Sequence, residues 1–213
     1  MRTSMGNLVA VSIVLAVGSF AGATMQITEY MYQGAPADQS GEFVEFTNVG
    51  GPAVNMIGWS FDDNTRQSGS QDLSAYGTIA PGESVILPDI TAADFRTRRH
   101  LDDSVKVIGG NANNLGRSDE INLYNGSALV DRLTYNDQAT PKQGPRTQGA
   151  SCNVPAADYS ATTALSTWAL ASVGDSFGSF QATTGDIGSP GRLPEPASLL
   201  LLVVGSLMLI RRR

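Results

Sequence analysis

Val54-Asn55-Met56-Ile57-Gly58-Trp59-Ser60-Phe61 decides the fold. Ile57, Trp59 and Phe61 recur at period two, and successive side chains of a strand point to opposite faces, so this spacing aims all three at one core. Upstream, Glu42 to Asn48 sets Val44 and Phe46 against Glu45 and Thr47 and stops at Gly50-Gly51-Pro52. Met25 to Tyr32 alternates Met25, Ile27 and Met31 with Gln26 and Thr28, then breaks at Gln33-Gly34-Ala35-Pro36. Downstream, a polar loop from Asp62 to Gln71 leads to Leu73, Ile79 and Val85-Ile86-Leu87 around the turn Ala80-Pro81-Gly82-Glu83, where Pro presets φ and Gly accepts a positive one. Asn125-Gly126 joins Ile121–Tyr124 to Leu129–Tyr135, the strongest short hairpin signal.

Between these runs, Asp89 to Arg99 carries a short helical signal with Thr91 as its cap, and Val105 to Ile108 reads as a further strand. From Thr140 to Ala164 periodicity is lost in a stretch of Pro, Gly, Gln and Ser. Leu165 to Val173, with Trp168 and Leu170, reads as the last strand, and a Gly/Ser/Thr-rich spacer occupies 174–193. Roughly seven or eight short strands separated by turns make an all-β chain, a β-sandwich over 24–173.

The two ends read differently. Arg2, an apolar run from Leu8 to Phe20 and Ala21-Gly22-Ala23 form a secretory signal peptide over 1–23, with Ala21 and Ala23 at the cleavage site and Thr24 as the first mature residue. At the other end Pro194-Glu195-Pro196 is followed by an uncharged, Leu-rich run to Ile210 and by Arg211, Arg212 and Arg213. That run is short for a bilayer, but with the arginine stems reaching the headgroups it predicts a short transmembrane helix with the arginines inside. The expected orientation is therefore an exported domain outside and the arginines inside.

Removing Arg2 at one end, and Glu195 with the three arginines at the other, takes the formal charge of −6 to about −9. An acidic domain repels phosphate backbones, which argues against nucleic acid as a partner. Arg96, Arg98 and Arg99 read as a solvated loop. Cys152 is the one cysteine, so no disulfide forms within the chain.

Two resemblances follow from these residues. Box, apolar run and arginines, over 194–213, resemble the PEP-CTERM sorting tail of Gram-negative bacteria. That resemblance implies signal peptidase and exosortase as processing partners, Pro194, Glu195, Pro196, Arg211, Arg212 and Arg213 as sorting residues, transient anchoring in the inner membrane followed by the cell envelope or extracellular matrix, and association with exopolysaccharide or other surface proteins. Glu42-Phe43-Val44-Glu45-Phe46-Thr47-Asn48, Ile57-Gly58-Trp59-Ser60-Phe61, Ala80-Pro81-Gly82-Glu83 and Ser118-Asp119-Glu120-Ile121-Asn122-Leu123, in that order, resemble the lamin tail domain. Val130 to Tyr135 and Gly188-Ser189-Pro190-Gly191 are similar to its later landmarks. That likeness implies an immunoglobulin-like Greek-key β-sandwich.

Little in the chain suggests chemistry. A hydrolase needs a nucleophile and base held together, and the one histidine, His100, lies beside Asp102 and Asp103 with no nucleophile-elbow serine and no signature linking it to Cys152. No catalytic residue and no cofactor are expected. Asp62, Asp63, Asn64 and Asp72 supply hard oxygen ligands of the kind Ca²⁺ prefers, without the EF-hand pattern. Trp59 and Trp168 are candidate sugar platforms, although Trp59 shares the period of Ile57 and Phe61 and so reads as core. The leading expectation is a noncatalytic surface or matrix protein. The alternative is a carbohydrate- or Ca²⁺-dependent adhesion module, and a hydrolase ranks third.

Overall fold

The computed structural model describes residues 24–155, 158 and 165–192. Strands β1 (Met25–Met31), β2 (Phe43–Asn48), β3 (Val54–Asn55), β4 (Trp59–Asp62), β5 (Gln71–Asp72), β6 (Thr78–Ile79) and β7 (Ser84–Pro88) precede the helix α1 (Ala92–Arg99). After it come β8 (Lys106–Val107), β9 (Ser118–Asn125), β10 (Ala128–Asn136), β11 (Cys152–Asn153), β12 (Ala169–Leu170), β13 (Phe180–Gln181) and β14 (Ile187–Gly188). Six strands form one sheet in the order β12-β11-β1-β2-β7-β8, four form a second in the order β10-β9-β4-β5, and β3-β6 and β13-β14 are small pairs.

The two large sheets face each other across one apolar layer, because the inward residues of each alternate as period two requires. Ile27, Val44, Phe46, Val85 and Leu87 of the six-stranded sheet meet Phe61, Ile121, Leu123, Leu133 and Tyr135 of the other. Tyr30 and Tyr135 stack across the gap with ring centroids 4.8 Å apart. Each such buried side chain contributes about 1.5–3 kcal/mol relative to exposure. One polar tie closes the corner. A bulge between Ile27 and Glu29 interrupts the ladder to β2, and the Ile27 N–H donates instead to Asp131 Oδ2 on β10 at 2.9 Å.

The expected Greek-key immunoglobulin-like sandwich with flanking helices is corrected in two respects. β8 runs parallel to β7, so the larger sheet is mixed. A parallel pair needs a crossover, and α1 is that crossover; Thr91 accepts from the Asp94 N–H at its N-cap and His100 ends it at φ 51°. Secondly, among the described residues no helix is long and apolar enough to cross a membrane. The expected signal peptide at 1–23 and the apolar tail at 194–213 lie outside the described residues.

Local expectations also change. Val54 to Phe61 is two strands with a turn between them. Trp59 N–H donates to Met56 O at 3.0 Å, and Gly58 takes φ 80°, a conformation that costs glycine nothing. Met56 therefore enters the core beside Trp59 and Phe61, while Ile57 is 71% exposed. Within the aperiodic 140–164 stretch, β11 pairs with β1 through Glu29↔Asn153 and Tyr30↔Cys152. The expected last strand is a 3-10 turn at Leu165–Thr167 followed by the two residues of β12.

Residues 174–191, expected as a flexible spacer, lie as a strap on the outer face of the six-stranded sheet. α1 covers part of that face through Met31, Phe43, Ile86 and Phe95. Beside this apolar cluster, the bulge after Ile27 shifts the phase of β1 so that Glu29 lies opposite Glu45 on the same outer face, both buried. Glu29 accepts from Ser151 Oγ at 2.5 Å, Ser189 N at 2.8 Å and Ser189 Oγ at 3.1 Å. Glu45 accepts from Thr28 Oγ1 at 3.0 Å and Gly191 N at 2.6 Å. Arg99, 2% exposed, faces Asp186 at 3.9 Å and lies over the Phe43 and Phe95 rings at 5.3 and 5.8 Å. The three arginines are thus no solvated loop. Arg98 pairs with Asp38 at 2.8 Å, and Arg96 donates to Val105 O at 2.9 Å. Strap and sheet approach so closely at Gly188 that a Cβ there would lie 2.8 Å from Ser151 Oγ and 2.9 Å from Glu29 Oε1.

Candidate functional site

The residues singled out from the sequence do not come together. His100 is exposed at the end of α1, in a shallow depression lined by Ala93, Arg96, Thr97, Leu101 and Asp103, with no serine or cysteine among the described lining. Cys152 is buried on β11; its Sγ donates to Pro145 O at 2.8 Å, and burial pushes the thiol up to about 12, far from the thiolate a nucleophile requires. Trp59 and Trp168 both belong to the apolar core, and Trp168 meets Tyr30 edge-on at 5.4 Å, so neither ring offers a stacking platform.

Asp62, Asp63 and Asp72 serve their own turns. Asp62 Oδ2 accepts from Thr65 Oγ1 at 2.8 Å and Gln67 N at 2.6 Å, and Asp63 Oδ1 from Thr65 N at 3.0 Å. Asp72 Oδ1 takes Ser74 N at 2.9 Å and Ser74 Oγ at 2.6 Å, the Asx-turn pattern of loop aspartates. Asn64 is exposed. Among the described residues no three His, Cys, Asp or Glu side chains converge to hold a metal ion.

A different place gathers unusual electrostatics. Where β2 begins and β7 ends, the ladder sets Phe43 opposite Pro88, which makes Glu42 and Asp89 neighbours at the mouth of a cleft of about 300 Å³. The cleft is lined further by Tyr32, Gln33, Gln39 and Asn114. Asp89 accepts the Gly41 N–H through both oxygens, at 2.9 and 3.2 Å. Glu42 is 5% exposed. Its Oε2 accepts from Leu115 N at 2.9 Å, whereas Oε1 has no hydrogen-bond partner. Desolvation, offset in part by the Leu115 N–H and reinforced by Asp89, Asp119 and Asp63, pushes the Glu42 carboxyl up to about 9. Burial likewise raises Asp89 and Asp119. Sequence reading passed over Glu42 because its neighbours mark it only as a polar residue at a strand entry; the strand register that sets it against Asp89 is a long-range fact.

Raised carboxyls have a consequence for stability. Burial also raises Glu29 and Glu45. A carboxyl raised on folding holds its proton in the native state and loses it in the unfolded chain, so its contribution is present below the ordinary 4.5 and is lost as pH rises through the folded value, about 9 for Glu42. Glu120 acts oppositely: its hydrogen bonds with Arg66 hold it down at about 2, so its contribution is present above 4.5 and lost in strong acid. Thermal melts at constant ionic strength should therefore peak near pH 4–5 and fall by roughly 5–10 °C toward pH 9. A flat profile over that range would show these carboxyls to be solvated.

Fold and site together define a two-layer β-sandwich with a polar cleft and no assembled reactive group among its described residues. The profile of the lamin tail domain matches residues 19–137, more than half of the chain, and the chain belongs to that family. No curated protein matches it. Members of the family are generally noncatalytic β-sandwich modules, and this chain is such a module. The expectations of inner-membrane anchorage, and with it of signal peptidase, exosortase and the membrane as partners, are corrected: no described helix can cross a bilayer, and the family match ends at residue 137.

Proposed function

We propose that the domain is a structural or adhesive unit that holds a partner, with an extracellular polymer as that partner. The observation that carries this reading is the family match over 19–137, of a noncatalytic module. It is supported by the exposure of His100 at the end of α1 and the burial of Cys152 within the core on β11. The polymer as partner is a narrower reading supported by sequence alone: the order of box, apolar run and arginines over 194–213, with Pro194, Glu195 and Pro196 as processing residues, and Ala21 and Ala23 at the other end.

Cosedimentation of the purified protein with exopolysaccharide from its own host tests it. Retention of the protein with the polymer length unchanged is the expected result. Shortened polymer would sink the noncatalytic reading, and protein left wholly in the supernatant would sink the polymer as partner.

A further inference from the structure

The cleft at Glu42 is over-supplied with negative charge. Glu42 and Asp89 face each other across two strand ends, an arrangement that costs stability when both are ionised. Asp119, at the start of β9, and Asp63, in the loop after β4, add to the same field. The one guanidinium in the lining, that of Arg117, is engaged by Asp137 through two contacts of 3.2 Å. Glu42 Oε1 remains buried and unpartnered in the cleft wall, and an unsatisfied buried acceptor costs about 1–3 kcal/mol. Were cover all that the fold needed here, an apolar residue would supply it without that cost.

We infer that the cleft is a binding site for an ammonium group, and that its ligand is an amino sugar with a free amine, the hexosamine unit of a polysaccharide. Three observations select this cation. No three ligating side chains converge among the described residues, so a compact metal centre has too few carboxylates, whereas an ammonium group bears three separate donors that reach acceptors lying apart. The volume, about 300 Å³, is at the small end of ligand pockets and far exceeds a bare ion. The remaining lining consists of the amides of Gln33, Gln39 and Asn114, the Tyr32 ring, Leu115 and Gly116. Amides match sugar hydroxyls, while Leu115 by itself is not the extended apolar sleeve that a lysine stem would require. A bound ammonium needs the Glu42 carboxylate ionised, and the empty site holds a proton there near neutral pH. Binding therefore expels about one proton, and affinity rises with pH until the amine itself deprotonates.

The inference rests on the noncatalytic reading and has a test that separates the two. The intact protein is titrated calorimetrically with fully deacetylated chitotriose, with its triacetylated form, with an Nα-acetyl-lysine amide and with calcium chloride, in two buffers of different ionisation enthalpy. The expected result is binding of the deacetylated trimer with release of about one proton, at least tenfold weaker binding of the acetylated trimer, and at least tenfold loss in both Glu42→Gln and Asp89→Asn. Circular dichroism melts of each variant show that the fold survives. Equal binding of both trimers, no heat from either, heat only from the lysine amide, or a calcium response abolished by Glu42→Gln would each overturn the inference. Cleavage of the trimer, followed by mass spectrometry, would overturn the noncatalytic reading and leave binding intact.

Discussion

Arg99→Ala is expected to lower the stability of the domain by about 3–5 kcal/mol, the cost of leaving buried charge without its partner. The guanidinium lies among Glu29 and Asp186, both of which act on its charge, and over two aromatic rings. Its removal opens a space at the Phe43–Phe95 contact and leaves two acids without a counter-ion. Arg99→Met separates these effects, since it keeps most of the stem's volume. If packing dominates, the Met variant melts within about 2 °C of the parent, because 1 kcal/mol corresponds to roughly 2–4 °C in a domain of this size. If charge dominates, it loses nearly as much as Ala, and the loss grows with pH. The sign follows from Glu29, already raised by burial: without Arg99 its folded pKa moves further up, so the variant's deficit is small where the carboxyl is protonated and widens as pH rises through that value. Urea unfolding of both variants at pH 5 and pH 8 reads the difference. A Met variant with the same deficit at both values would refute the electrostatic account.

Much of the sandwich was legible because it is written in local periodicity. Phe61, Val44, Phe46, Ile121, Leu123 and Leu133 alternate with polar neighbours and are all in the core. Asn125-Gly126 fixes the β9–β10 hairpin, with Leu129 opposite Tyr124, and Thr91 caps α1. What period two could not convey is where a strand breaks. Ile57 shares the phase of Trp59 and Phe61, yet the turn at Gly58 changes the phase and Met56 takes its place inside. Two-residue strands such as β11 have no period to detect. Cys152 and Asn153 are strand residues only because β1 offers them a ladder. The candidate site was hidden for a related reason. Glu42 stands 47 positions from Asp89 and 77 from Asp119, counted along the sequence, and the field they share exists only once β2, β7 and β9 are assembled. Glu45 reads as an outward polar position, Glu29 shares the period of Met25, Ile27 and Met31 until the bulge after Ile27 shifts it, and the strap that covers both reads as spacer, since Gly, Ser and Thr suit both a loose linker and a close-packed polar seam.

Ending the chain at Val173 tests that last distinction. If 174–191 were a spacer, truncation would leave the melt unchanged. The packing predicts a loss on the order of 5 kcal/mol and a broadened or absent transition. The cut removes Ser189 and Gly191 as donors to Glu29 and Glu45, and hydrogen bonds to these largely protonated carboxyls contribute about 0.5–1.5 kcal/mol each. It also removes Asp186, which accepts the Ala35 N–H and faces Arg99, and the Ile187 backbone, which bonds Gly149 O at 2.8 Å and Ser151 N at 2.9 Å. Part of the loss is returned, because Glu29 and Glu45 regain water once uncovered and no longer bear the full desolvation that raises them. The truncated chain should accordingly lose the alkaline destabilisation that these two carboxyls confer, leaving the share due to Glu42. A double-mutant cycle between Ser189→Ala and Glu29→Gln in the full chain supplies the local measurement. A coupling of about 1 kcal/mol or more shows that the seam stabilises the intact protein; a coupling near zero, together with an unchanged melt on truncation, would return 174–191 to the status of a linker.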